Sequence, residues 1–151
     1  MFSKATEYAL RATIFIAQKS SITNKLSIDE ISKAIDSPPS FTAKILQNLT
    51  KNNQVISSVR GPNGGFYLTD EAKKMPARLI LVAMGESEIL EKCVMGLKLC
   101  SESQPCPMHE QYKSIKQSLV KLFVATSIEQ LAAEIKDGVV FINNKMPIFK
   151  C

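Results

Sequence analysis

The sequence predicts a mainly α-helical fold that carries one small β-hairpin. Three observations predict it. Two helical apolar patterns are separated only by Ser37-Pro38-Pro39. Two short apolar runs, residues 55–59 and 66–68, flank Arg60-Gly61-Pro62-Asn63-Gly64-Gly65. Tyr112, Ile115, Leu119 and Leu122 then repeat at 3-4-3 spacing, the seam pattern of a long helix.

Residues 2–19 read as the first helix, with Phe2, Ala5, Ala9, Ala12 and Ile16 at helical spacing and Lys4, Glu7, Arg11 and Gln18 largely on other faces. Residues 20–25 are polar and read as a loop. Ser27 opens the second helix: with Glu30 three residues on it forms a capping box, each side chain satisfying a backbone N–H of the first turn. Ile28, Ile31 and Ile35 give that helix its apolar face. Ser37-Pro38-Pro39 ends it, and proline suits the first turn of the next helix. That third helix is expected over residues 38–51, with Phe41, Ile45, Leu46 and Leu49 inward and Ser40, Lys44, Gln47, Asn48 and Lys51 outward.

Two helices joined by a short turn, the second with a polar and basic outer face, form a helix-turn-helix pattern whose second helix suits the major groove of double-stranded DNA. An outward polar face is equally a solvated one, so the hairpin tips the balance. Asn-Gly marks a tight turn because such turns need positive φ, and a hairpin directly after a recognition helix is the wing of a winged helix. Arg60 stands at its root, where a guanidinium suits a narrow minor groove, and the glycines leave backbone N–H groups free for phosphates. The candidate DNA-contacting residues are Lys4, Ser40, Thr42, Lys44, Gln47, Lys51, Arg60, Gly61, Asn63, Gly64 and Gly65.

Residues 70–91 read as a turn followed by a helix, with Thr69 or Asp70 as its cap and Leu79, Ile80, Val82, Ala83 and Met84 as core. Residues 110–125 form the long helix. The candidate dimerisation residues are Tyr112, Ile115, Leu119, Leu122 and Phe123, although periodicity alone equally allows packing within one chain. Thr126 and Glu129 suggest a second capping box before a helix over residues 128–136 that ends at Asp137-Gly138. Val139-Val140-Phe141-Ile142 suggests a short strand, and Cys151 in the tail is not expected to be a ligand. The expected organisation is a DNA-binding domain over 1–75, a connecting helix over 76–92, a cysteine-rich loop over 93–109, a dimerisation helix and its successor over 110–137, and a tail over 138–151.

Between the connecting and long helices lies Cys93-Val94-Met95-Gly96-Leu97-Lys98-Leu99-Cys100-Ser101-Glu102-Ser103-Gln104-Pro105-Cys106-Pro107-Met108-His109. It holds three of the four cysteines and the single histidine. Thiolate with imidazole selects soft or borderline metals, zinc or the iron of an iron–sulfur cluster. The six- and five-residue gaps fit neither a zinc knuckle nor a ferredoxin. Spacing therefore leaves the metal open.

Formal charge is +5, unevenly spread: residues 1–75 hold ten Lys/Arg against six Asp/Glu, residues 76–151 nine against eight. A basic first half suits a polyanion. No apolar run approaches the roughly 20 residues of a membrane span, and Lys4, Glu7 and Arg11 interrupt any signal-peptide pattern. A cytoplasmic chain with reduced thiols is expected. No nucleophile stands beside a base and no nucleotide fingerprint occurs, which argues against an enzyme.

The run Ala5-Thr6-Glu7-Tyr8-Ala9-Leu10-Arg11-Ala12, the wing Ser58-Val59-Arg60-Gly61-Pro62-Asn63-Gly64-Gly65-Phe66 and the three cysteines together resemble the Rrf-two family over residues 1 to about 135. These are bacterial winged-helix transcription regulators, among them an iron–sulfur cluster regulator and a nitric-oxide-sensing repressor. The resemblance implies a homodimer that binds an operator through two recognition helices. It implies a 2Fe–2S cluster, with 4Fe–4S as the alternative, on Cys93, Cys100, Cys106 and His109, which match the family's ligands in order. The first gap is one residue longer than in the family. Glu7, just before the Tyr-Ala-Leu-Arg run, is the alternative fourth ligand. The expected function is transcription regulation governed by that cluster, with a zinc-bound or bare-thiol redox switch as the alternative.

Overall fold

Helix α1 (Lys4–Lys19) starts where the Ser3 hydroxyl accepts the Thr6 N–H at 3.2 Å. That bond satisfies one of the donors a helix start leaves orphaned. The computed structural model describes residues 1–51, 55–135 and 142–143. Around α1 stand α2 (Ile28–Ile35), α3 (Pro39–Thr50), a hairpin of β1 (Ser57–Val59) and β2 (Gly65–Tyr67), α4 (Asp70–Lys74), α5 (Arg78–Ala83), a 3₁₀ turn (Ser87–Leu90), α6 (His109–Ala125) and α7 (Ile128–Ala133).

Helix α1 is the hub because its apolar stripe is made of small residues. Ala9, Ala12 and Ile16 are fully buried and let α2, α3, α5 and α7 all pack on one helix. Ile31 and Ile35 of α2, Ile45, Leu46 and Leu49 of α3, and Ile80, Ile128 and Ala132 complete this main core. Thr13, also buried, donates its hydroxyl to Ala9 O at 2.8 Å, so that hydroxyl is not left bare.

The Ser27–Glu30 capping box forms as expected. Asp36 ends α2 in the left-handed region at φ 54°, a conformation Asp tolerates better than most residues, and turns the chain into Pro38. The wing is an antiparallel pair in the register Ser57–Tyr67, Ser58–Phe66 and Val59–Gly65. Leu26 flanks its far edge, exchanging N–H···O bonds of 2.9 and 2.8 Å with Phe66. A two-stranded ribbon is marginal alone, so this third contact fixes the wing to the helices.

Four expectations change. The turn is not built on Asn63-Gly64: Gly64 N–H donates to Gly61 O at 2.9 Å, so Pro62 and Asn63 sit at its centre. Positive φ falls instead on Gly61 and Gly65. The connecting helix over 76–92 is two pieces, because Gly85, at φ 73°, ends α5 before the 3₁₀ turn, and Pro76 separates α5 from α4 before it. The second capping box is Ser127 with Gln130, not Thr126 with Glu129. The Ser127 hydroxyl accepts from Gln130 N–H, and the Thr126 carbonyl before it accepts from Ala77 N–H at 3.0 Å. Phe123 does not face outward: it is 6% exposed and closes a second cluster with Ala77, Leu81 and Leu90 of its own chain, with Leu119 packed against it. The expected helix end at Asp137-Gly138, most of the expected strand at 139–142 and Cys151 lie outside the described residues, and Ile142 stands in a bend.

Candidate functional site

The second cluster is the floor of the cysteine loop. Leu90, the last residue of the 3₁₀ turn, is buried against Phe123, and three residues later Cys93 enters the loop. Phe2 meets the Phe123 ring edge-on, centroids 5.5 Å apart, and Ser3 N–H donates to Glu86 Oε2 at 3.2 Å. Burial pushes the Glu86 carboxyl up, but hydrogen bonds from Ser3 and Thr6 outweigh it and leave the group below its ordinary value. The start of α1 and the base of the loop are thus tied together.

The loop brings its four soft donors into two pairs. Cys93 Sγ lies 3.5 Å from Cys106 Sγ, and Cys100 Sγ lies 3.6 Å from His109 Nδ1. All three thiols are free. Cys93 and His109 are each 5% exposed, while Cys100 and Cys106 are half-buried. His109 is the first residue of α6, and its backbone N–H donates to Cys106 O at 3.0 Å. Its Nε2 is buried with no hydrogen-bond partner.

The paired sulfurs differ in acidity. Backbone N–H groups of Met95 and then Leu97, with Cys106 and the Lys116 cation, outweigh the desolvation of Cys93 and hold its thiol below the ordinary value. Cys106 receives the Met108 N–H, but desolvation and the charges of Cys93 and Cys100 outweigh that and raise it. Cys93 is therefore the more acidic thiol of the pair.

This donor set suits a thiophilic metal group: three sulfurs and one imidazole, whose buried Nε2 has no partner. The donors stand as two pairs, and among the described residues no three His, Cys, Asp or Glu side chains form a ready-made ion site. Glu7 is ion-paired to Lys4 at 3.0 Å, which together with Arg11 lowers its carboxyl. A cavity of about 430 Å³ opens beside Cys100 and His109, walled by Lys113, Lys116, Lys121 and Val124 of α6.

The second candidate surface lies on α3 and the wing. Ser40, Lys44, Gln47, Lys51, Arg60, Gly61 and Asn63 are all exposed, and among the described residues Lys44, Lys51 and Arg60 carry no ion pair. Three candidates do not belong to it. Thr42 is fully buried and gives its hydroxyl to Pro38 O at 3.1 Å. Gly64 has spent its N–H within the turn, and a Cβ there would stand 2.2 Å from Val59 O, so it serves the turn and not a phosphate. Gly65 is likewise packed, 2.7 Å from Leu26 O at the Cβ position. Lys4 is exposed but already paired. Sequence spacing missed Tyr8, whose ring stacks edge-on with Phe41 of α3 at 5.7 Å and carries the Arg11 guanidinium at 4.9 Å. It is one of the contacts that join α3 to α1. Ile115 and Leu122 are exposed on α6, and Tyr112 is half-buried.

The Rrf2 family, described as an iron-dependent transcriptional regulator, matches residues 2–134. An HTH-type transcriptional regulator of Aquifex aeolicus is 32% identical over 133 residues, 87% of this chain and 90% of that protein. The HTH-type transcriptional regulator IscR of Photorhabdus laumondii is 26% identical over 124 residues, 82% of this chain and 74% of that protein. Among solved structures, CymR, the global cysteine regulator of B. subtilis, superposes with a TM-score of 0.69 at 19% identity, covering 90% of this chain and 98% of that one. No helix among the described residues is long and apolar enough to cross a membrane. With its wing, its exposed α3 and its N-terminal Tyr-Ala-Leu-Arg run, this chain belongs to the Rrf2 family: it is a helix-turn-helix, DNA-binding transcription regulator and not an enzyme.

Proposed function

We propose that this regulator acts in the cytoplasm as a homodimer whose affinity for operator DNA is set by an iron–sulfur cluster held on Cys93, Cys100, Cys106 and His109. The observation that carries the proposal is His109 Nε2. A buried ring nitrogen without a partner costs about 1–3 kcal/mol, and this one belongs to a ring whose Nδ1 lies 3.6 Å from Cys100 Sγ. A 2Fe–2S cluster suits the set, with 4Fe–4S as the alternative, and Glu7 is the alternative to His109 as fourth ligand. When bound, such a cluster supplies one-electron redox chemistry at a potential tuned by its ligands.

The chain's own residues supply the coupling. His109 begins α6, so its ring and that helix move together. Ile115 and Leu122 offer α6 to a second copy. The other end of the loop reaches α1 through Leu90, Phe123 and Phe2, and α1 carries α3 through the Tyr8–Phe41 contact. The duplex fixes half-site spacing, so small changes between two recognition helices change affinity. A coupling of about 1–3 kcal/mol suffices.

Protein purified without air should be coloured, contain iron and sulfide in stoichiometric amounts, and lose its visible absorbance in Cys100→Ala. A colourless protein with stoichiometric zinc refutes the cluster. One observation favours a second reading, the 3.5 Å between Cys93 and Cys106. A peroxide oxidising these two thiols would form an S–S bond, taking two electrons and two protons to leave water and the reduced peroxide fragment. A mass loss of about two daltons under peroxide, confined to the peptides of these two residues, identifies that switch.

A further inference from the structure

The end of α2 poses a problem that its own sequence cannot solve. The carbonyls of a helix's last turn need donors from beyond the helix. For Ala34 O the donor in register is residue 38 and the next is residue 39, and both are proline, with no N–H to give. Ser37 N–H is no substitute, since it donates to Ser32 O at 3.0 Å, as does Asp36 N–H at the cap. The donor comes from the far end of the chain: Asn143 Nδ2 donates to Ala34 O at 2.9 Å. Ala34 O can only accept, so the amide nitrogen of Asn143 must face it. Ile142, beside it, packs against the main core. At the other side of the same crossing, Gln18 Nε2 of α1 donates to Ile135 O, just past α7, at 3.1 Å.

We propose that Ile142 and Asn143 act as a strap, in which Asn143 caps the C-terminal end of α2 and so holds the turn that aims the recognition helix. Both residues lie beyond the family match, which ends at residue 134. The strap's use follows from Pro38-Pro39. These residues start α3 sharply, and in doing so they strip α2 of the donors that would have finished it. With Asn143 in place the Asp36–Pro38 turn is pinned from both sides. Without it the last turn of α2 frays, and α3 loses its fixed angle to the wing.

Hydrogen exchange on the full-length protein tests this through Asn143→Ala and, separately, Ile142→Ser. Loss of one neutral hydrogen bond should speed exchange at the Asp36 and Ser37 amides about 2–10-fold in Asn143→Ala. The amides of α1 and α5 should stay at the parent's rate. Affinity for a mixed-sequence 30-base-pair duplex should fall in the same variant, and Asn143→Gln should restore neither property. Unchanged Asp36 and Ser37 rates in both variants overturn the proposal. So does an equal acceleration across all helices, which would make the segment a general stabiliser and not a cap. None of these rates depends on what the cysteine loop holds, so the strap can fail while the cluster reading stands.

Discussion

Phe123→Ala separates a residue that joins two subunits from one that joins two halves of a single subunit. The side chain is 6% exposed, lies against Ala77, Leu81 and Leu90, and meets the Phe2 ring edge-on at 5.5 Å. Truncating a buried Phe costs about 3–5 kcal/mol, of which the aromatic pair supplies about 0.5–1.5. This cluster is smaller than the main core and can partly collapse, so the lower end, about 3 kcal/mol, is expected. Urea unfolding at two protein concentrations should show the same loss at both, with an unchanged m-value. Ile115→Asp is the contrast. Its side chain is 58% exposed, so it should alter folded-protomer stability by about 0.5 kcal/mol or less while abolishing the proposed dimer in sedimentation. A Phe123→Ala loss below about 1 kcal/mol, or one that appears only where dimers form, would refute the placement of Phe123 in its own chain's core.

Three further outcomes follow from the wing, the reading face and the first capping box. Gly64→Ala puts a methyl 2.2 Å from Val59 O and 2.9 Å from Gly61 O, both backbone. About 1–3 kcal/mol of destabilisation is expected, with loss of amide protection in β1 and β2, and full protection would mean the turn yields freely. Arg60→Ala should reduce the slope of log affinity against log salt by about 1 for a mixed-sequence duplex, and an unchanged slope removes Arg60 from the phosphate contacts. Glu30 is held below its ordinary pKa of 4.5 chiefly by the Ser27 backbone N–H and then by its hydroxyl. Its contribution is therefore present above the unfolded value and lost as pH falls through the lower folded one. Glu30→Gln keeps the acceptor but cannot titrate, so the stability gap between parent and variant should close on acidification from about pH 6 to about pH 3.

Local chemistry was legible wherever one residue's neighbours in sequence are also its partners in space. Ser27 and Glu30 cap α2 because both partners lie within one turn. The segment Thr126-Ser127-Ile128-Glu129-Gln130 offers two overlapping capping boxes, and nothing local chooses between them. The choice is made by Ala77 and Met75, which take Thr126 O and Ile128 N–H and fix where α7 begins. The 3-4-3 seam of α6 likewise marks a helix with an apolar stripe without saying which stripe residues face a partner. Leu119 and Phe123 turn inward to the second cluster, while Ile115 and Leu122 turn out. The four soft donors were legible as a set. Their grouping was not, since Cys93 pairs across 13 residues and Cys100 across 9 through a loop without regular periodicity.

That grouping decides which variants can tell the two switch chemistries apart. A disulfide between Cys93 and Cys106 uses one pair and leaves Cys100 and His109 with no part to play. A cluster or a zinc ion needs donors from both pairs, because two thiols alone do not complete its coordination. Substitutions at Cys93 or Cys106 therefore abolish either switch and discriminate nothing. Cys100→Ser is the informative change: Cys100 is half-buried at the surface of the loop, so a hydroxyl there is tolerated sterically. If the operator response to peroxide survives in Cys100→Ser at the parent's magnitude, the thiol pair is sufficient and the cluster has no regulatory role. If the response disappears while Cys93 and Cys106 still oxidise to a disulfide, the pair is a by-product and the signal requires all the donors together. His109→Gln should behave as Cys100→Ser does if imidazole is the fourth ligand. An unaltered metal content in His109→Gln, paired with loss in Glu7→Gln, would move that role to Glu7.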